Sequence, residues 1–308
     1  MRPAFSDNWR NPEIMGVDQL EALLPRLETA HFEPLYINGV KQEGRQAVIG
    51  SKSMDGQAYC YPSNRYKIVQ NSEVIIPFAR ALVDSGFENF SVNIREFDGR
   101  MYANFGVNHP TYIKRIVGEN YGMRITVFNS YNCQVGFGAS LDFVRLICSN
   151  GMVGLVPSLN WRAIHVMDMA EAYDRWAGFL DAIQNAPGIL TPLIESAKSW
   201  EVKTQDALKI LYGAGFGKNI AGRMFDRLKG DKPKVDGYTI FNLATEELSH
   251  VEGGMEQYET QRDRLAQANK ILTCKWEELL ADGEKEAQRI EEYEREAEIR
   301  RREKKNKA

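Results

Sequence analysis

The sequence predicts an α+β fold: an antiparallel β-meander core, then a helical C-terminal half that ends in a long charged helix. Three observations predict it. Residues 88–148 carry two-residue apolar alternation interrupted by turn formers. Residues 164–250 carry apolar residues at helical spacing instead. From Glu256 onward the chain grows steadily more charged. Strands gathered first and helices second argue against a parallel α/β sheet, in which the two would alternate.

Taken in order, residues 17–30 form a short amphipathic helix with Leu20, Leu23, Leu24 and Leu27 on one side, kinked or shortened by Pro25. Residues 34–70 read as short strands and turns. Asn71 or Ser72 starts a helix that runs to about Asp84 and ends at Gly86. Residues 91–97 are a strand, Asp98-Gly99 a hairpin turn, and Met101–Phe105 the return strand. Residues 122–130 and 142–148 are further strands. Helices are expected at 164–184, 187–199, 204–212, 217–229 and 239–250, with a loop at 230–237. Tyr258, Leu265, Leu272 and Leu279 recur at heptad spacing. Residues 284–308 read as a solvated helix with a basic end. This gives a mainly β part over 1–155, a helical part over 156–253, and a charged helix and tail over 254–308.

Composition excludes several classes. No run of about 18 apolar residues exists to span a bilayer, and Met1–Arg10 lacks the basic start and apolar stretch of a secretion signal. The four cysteines form no C-x-x-C pair. Together these predict free thiols in a reducing cytoplasm. Net charge is −3, but Arg300–Ala308 holds six basic groups against one acidic, so a tail of +5 leaves the preceding chain at −8. A body of that sign is no bulk polyanion binder, and any nucleic-acid contact must be local.

The motifs that carry familiar chemistry fail on spacing. The glycine-rich Leu211–Asn219 lacks the early glycine of a phosphate loop, where Tyr212 stands, and its Mg²⁺-binding hydroxyl, where Asn219 stands. Its glycines are read as ending one helix and starting the next. His31, His109, His165 and His250 are dispersed, and Glu246 with His250 reads as an i,i+4 contact. No G-x-S-x-G elbow is present, and Cys148 ends an apolar strand as an inert buried thiol. Catalytic residues, cofactor and metal are all expected to be none.

Three ordered blocks point to a family. They are Tyr66-Lys67-Ile68-Val69-Gln70-Asn71, the stretch from Asn129-Ser130-Tyr131 to Arg145-Leu146-Ile147-Cys148-Ser149-Asn150-Gly151, and Asn242-Leu243-Ala244-Thr245-Glu246 followed by His250. On these residues the chain resembles the domain-of-unknown-function 932 family of phages and plasmids, over roughly residues 60–250. It departs from that pattern at Tyr131-Asn132-Cys133, where the family shows His-Asp-Gly, and at Val166 after His165, where it shows Thr. The resemblance implies a mobile-element origin and no settled activity.

Strand parity supplies the candidate site. One face of the meander is expected to hold Val92, Ile94, Met123, Ile125, Val127 and Val144. The other holds Arg95, Phe97, Arg124, Phe128, Phe143 and Arg145. Guanidinium groups that neutralise phosphate, interleaved with rings that stack on bases, suit single-stranded nucleic acid. The alternative is a second core layer sealed by helices. The leading expectation is therefore a non-enzymatic single-stranded DNA binder in recombination, annealing or replication. A homo-oligomer assembled through the C-terminal helix, and an enzyme with an unrecognised site, are the alternatives.

Overall fold

The computed structural model describes residues 14–53, 56–87, 90–107, 114–116, 119–145, 152–167, 169–228, 233–249 and 266–306. The chain divides into two compact units, residues 1–149 with 156–187 and residues 150–155 with 188–308. The fold is α+β, with antiparallel pairing in all three sheets.

A seven-stranded sheet dominates the first unit. Its strands are β1 (Ile14–Met15), β5 (Phe90–Phe97), β6 (Arg100–Val107), β7 (Lys114–Ile116), β8 (Glu119–Ser130), β9 (Phe137–Arg145) and β10 (Met152–Ala163), in the order β1-β5-β6-β8-β9-β10 with β7 beside β8. The hairpin at Asp98-Gly99 forms where the sequence predicts it. Both residues take positive φ, 49° and 68°, and Phe97 pairs with Arg100. One face of the sheet is apolar in register: Val92, Phe105, Ile125 and Leu141 form one row, and Ile94, Ala103, Val127 and Ala139 the next. These side chains are buried. Helix α2 (Asn71–Asp84) buries Val74, Ile75, Phe78, Ala79 and Leu82, and the Phe78 ring lies 5.4 Å from Phe105.

A second, three-stranded sheet belongs to the same unit. Its strands β2 (Ala30–Ile37) and β3 (Val40–Gly50) form one long hairpin closed at Asn38-Gly39, with β4 (Ala58–Cys60) beside β3. At its base Ala30 and Val48 pack on Tyr131. The N-terminal helix α1 (Val17–Leu23) is shortened at Pro25 as the sequence predicts, its end becoming a 3₁₀ turn.

Three expectations are corrected. Residues 152–163 are a strand that the sequence reading passes over, since Gly154 and Pro157 look like turn formers. An edge position tolerates that proline, and burial still alternates at Trp161, Arg162 and Ala163. The two helices expected at 164–184 and 187–199 are one, α3 (Met169–Ser199). Four free thiols were expected, but Cys60 and Cys133 form a disulfide with their Cα atoms 6.2 Å apart, while Cys274 is free and exposed. Cys148 lies outside the described residues, as do Asn150, Gly151, His109, His250, Tyr258 and Leu265.

The second unit is helical, with α4 (Ala207–Gly213), α5 (Lys218–Leu228), α6 (Gly237–Ser249), α7 (Trp276–Asn306) and the small antiparallel pair β11 (Glu201–Lys203) and β12 (Lys234–Asp236). The glycines at 213–217 separate α4 from α5, with Gly215 at φ 100°, as the helix-ending reading requires. Lys218 is ion-paired to Glu294. Helices α4 and α7 meet backbone to backbone: a methyl at Gly213 would overlap the Leu279 carbonyl, and one at Gly283 the Lys209 carbonyl. No helix among the described residues is long and apolar enough to cross a membrane. Gly213→Ala is expected to lower the stability of this unit by roughly 2–3 kcal/mol, as overpacking does, measured by urea denaturation against an exposed Gly→Ala control at Gly217.

Candidate functional site

The register of the seven-stranded sheet decides which predicted residues share a face. Arg95 pairs with Tyr102, which pairs with Phe128; Phe97 pairs with Arg100; and Arg124 pairs with Asp142. Arg95, Phe97, Arg124 and Phe128 therefore occupy one face, as the alternation predicts. Phe143 pairs with Met123, and Arg145 with Tyr121, so positions 143 and 145 fall in the opposite set. Strand β9 begins at Phe137, so Leu141 rather than Val144 lies in the row of Ile125. A frame wrong by one residue exchanges the faces of a whole strand.

The middle of the polar face is closed. Tyr102 is 1% exposed and Phe128 6%, and Thr126 and Ser140 are buried beside them. The Thr126 hydroxyl donates to Asn104 Oδ1 at 2.8 Å, and the Arg100 guanidinium sits 5.6 Å from the Phe97 ring centre. Tyr102 and Phe128 are therefore closed to a stacking base, whereas Arg95, Phe97 and Arg124 on the same face stay half-buried.

Several of the polar residues that do converge come from two of the sequence blocks singled out above. Gln70 precedes α2 in extended conformation, and its backbone N–H donates to Glu73 at 2.7 Å, which starts the helix. Its side-chain amide pairs with Ala30 as a neighbouring strand would, accepting from the Ala30 N–H at 3.1 Å and donating to the Ala30 carbonyl at 2.8 Å. The Asn71 N–H donates to the Tyr131 hydroxyl at 2.9 Å, and that hydroxyl donates to the Glu28 carbonyl at 3.0 Å. Asn129 Nδ2 donates to the Val69 carbonyl at 2.8 Å and to Asn71 Oδ1 at 2.9 Å. Asn71 Nδ2 reaches Glu96 Oε1 at 2.9 Å.

Two carboxylates close this network. Glu96 accepts from the Glu28 N–H at 2.7 Å and from the Lys52 ammonium at 2.5 Å. Glu28 accepts from the Tyr59 hydroxyl at 2.5 Å and the Lys52 N–H at 3.2 Å. Burial pushes the Glu28 carboxyl above its ordinary range, with the Tyr59 hydrogen bond opposing and the nearby Glu96 reinforcing. Burial likewise raises Tyr59, Tyr66 and Tyr131. These groups are committed to one another, so the arrangement fastens segments 26–31, 50–52, 59, 66–71 and 129–131 together. Sequence reading misses Glu28, Lys52, Tyr59 and Glu96. Glu96 did carry a signal: it continues the apolar row of Val92 and Ile94, where a carboxylate requires a partner.

His165 lies at the edge of the same region. Its ring stacks on Tyr66 with centres 4.8 Å apart, Nδ1 lies 3.2 Å from the Lys67 carbonyl, and the His165 carbonyl accepts from the Lys67 N–H at 2.6 Å. Burial pushes the imidazole down to about 4, so it is neutral near pH 7. Among the described residues no group of three or more His, Cys, Asp or Glu side chains is placed to hold a metal ion.

The family described as a domain of unknown function, DUF932, matches residues 60–271. The chain belongs to that family. No curated protein and no solved structure matches it. The DUF932 segment contains Gln70, Asn71, Asn129, Tyr131 and His165, whereas Glu28, Lys52 and Tyr59 precede it.

Tyr131→Phe removes a buried hydroxyl that serves both Asn71 and Glu28, and is expected to destabilise the protein by about 2 kcal/mol in chemical denaturation. His165 gives a pH signature. Its folded value lies below the unfolded 6.5, so the unfolded chain binds the extra proton between about pH 4 and 6.5. Stability contributed by the neutral ring is complete above about 6.5 and is lost as pH falls towards 4, by up to about 3 kcal/mol. His165→Phe should flatten that limb of the melting-temperature profile.

Proposed function

We propose that this protein binds single-stranded nucleic acid without catalysing a reaction, and that the three-stranded sheet makes the contact. The observation that carries the reading is the set of exposed rings there. Tyr36 is 59% exposed and Tyr61, which follows β4, is 65% exposed, with Phe32 more modestly open. Lys41 is the cross-strand partner of Tyr36, and Arg45 and Arg65 are exposed nearby in sequence. Apart from Lys52, which Glu96 holds, residues 30–67 keep four cations against three carboxylates in a chain that is otherwise acidic. Rings that accept bases and cations that meet phosphates are the two components such binding uses. Recombination, annealing or replication of a mobile element, in the cytoplasm of its host, is the setting proposed for it.

A second reading, self-association through α7, is favoured by Tyr293 and Ile299, two large apolar side chains exposed on an otherwise charged helix.

Fluorescence anisotropy with a labelled oligonucleotide tests the first reading. Binding is expected at low salt, weakening as salt rises, and Tyr36→Ala with Tyr61→Ala should lower affinity about tenfold or more, on the scale of one to three kcal/mol per stacked base. No binding at low salt, or binding indifferent to both substitutions, defeats it. Light scattering on the same samples reports self-association separately.

A further inference from the structure

Cys60 and Cys133 are 73 residues apart in sequence and join two different sheets. Cys60 ends β4, where it pairs with Val48 of β3. Cys133 lies in the turn between β8 and β9. That turn is held without the sulfur bond. The Tyr131 N–H donates to the Gly99 carbonyl at 2.5 Å, Asn132 Nδ2 to the Asp98 carbonyl at 2.9 Å, and the Gln134 N–H to Asn132 Oδ1 at 3.2 Å. Cys133 is therefore presented to Cys60 by a turn that is already formed, at a Cα separation suited to a disulfide.

Two further features suit a bond that is made and broken. Cys133 is exposed, so an incoming thiolate can reach its sulfur, and accessible disulfides are the labile ones. Cys60 Sγ lies 3.2 Å from the Tyr131 carbonyl, so the thiol released by reduction has an acceptor waiting and no polar group is orphaned. Cys133 takes φ 61°, a conformation in which glycine is at ease, so the residue holds an unfavoured backbone while supplying a sulfur.

We propose that Cys60 and Cys133 are a reversible thiol–disulfide lock that reinforces the hydrogen-bonded attachment of the three-stranded sheet to the β8–β9 turn under oxidising conditions and loosens it under reducing ones. In closing, the two thiols give two electrons and two protons to a small-molecule disulfide such as oxidised glutathione, which leaves as two thiols. In opening, reduced glutathione supplies the same electrons and protons through a mixed disulfide. The lock is independent of the nucleic-acid reading.

The test equilibrates the full chain with oxidised or reduced glutathione, then alkylates it with iodoacetamide and maps the sites by mass spectrometry, with hydrogen exchange on parallel samples. After oxidised glutathione, Cys274 should carry either glutathione or the alkyl group, while Cys60 and Cys133 carry neither. After reduced glutathione all three should react, amides of residues 46–50 and 58–60 should exchange about tenfold faster, and the melting temperature should fall by roughly 10 °C for a loop of this length. Cys133→Gly, which suits the local backbone, should show the fast exchange in both buffers. Alkylation of Cys60 and Cys133 after oxidised glutathione overturns the lock, as does failure of reduced glutathione to open the bond. Exchange that is equal in the two states, or that still responds to glutathione in Cys133→Gly, overturns it too.

Discussion

The Asn71–Tyr131–Glu28 connection is the constraint on which the first unit depends. Asn71 begins α2, Tyr131 follows strand β8 of the large sheet, and Glu28 leads into the small one. One phenolic hydroxyl therefore holds a helix terminus and an incoming loop at once. Around it, Gln70 and Asn129 use side-chain amides where backbone partners would otherwise be required, and the Glu96–Lys52 pair supplies the charge balance. In a buried setting each such group is expensive when unpaired, so the network favours one arrangement of these segments over every near alternative.

That constraint also explains what the family-matched blocks have in common. Tyr66–Asn71 and Asn129–Tyr131 are distant in sequence, yet they meet in a single hydrogen-bonded layer. Their partners Glu28 and Lys52 lie N-terminal to the DUF932 segment. The seam between the N-terminal hairpin and the DUF932 region combines this directional hydrogen bonding with a small apolar cluster of Ala30, Val48 and Tyr131.

Much of the fold was legible in the sequence. Alternation in 91–97 and 122–130 fixed both faces of those strands, and Asp98-Gly99 marked the turn between them. Strand β9 misled because Gly136 and Gly138 blur its start, and alternation read from 142 onward lost one residue of frame. The exposure of the candidate surface is a different matter. Parity shows that Arg95, Phe97, Arg124 and Phe128 share a side, but whether that side meets solvent depends on what packs over it, and no local pattern records this. The Cys60–Cys133 pairing has no local signature either. Only the departure from glycine at a left-handed position hinted at it.

The close contact of α4 with α7 has a geometrical consequence. Where two helices touch through glycines at both Gly213 and Gly283, neither can roll or slide without collision, so the first turns of α7 are clamped. An α-helix is stiff, and the dozen residues after Glu294 extend it by about 18 Å. That stretch is braced along its own surface by Glu296–Arg300 and Glu298–Arg302 pairs. Its cationic end is thus carried on a rigid spar at a fixed bearing from α4, and whatever it touches is met from one direction.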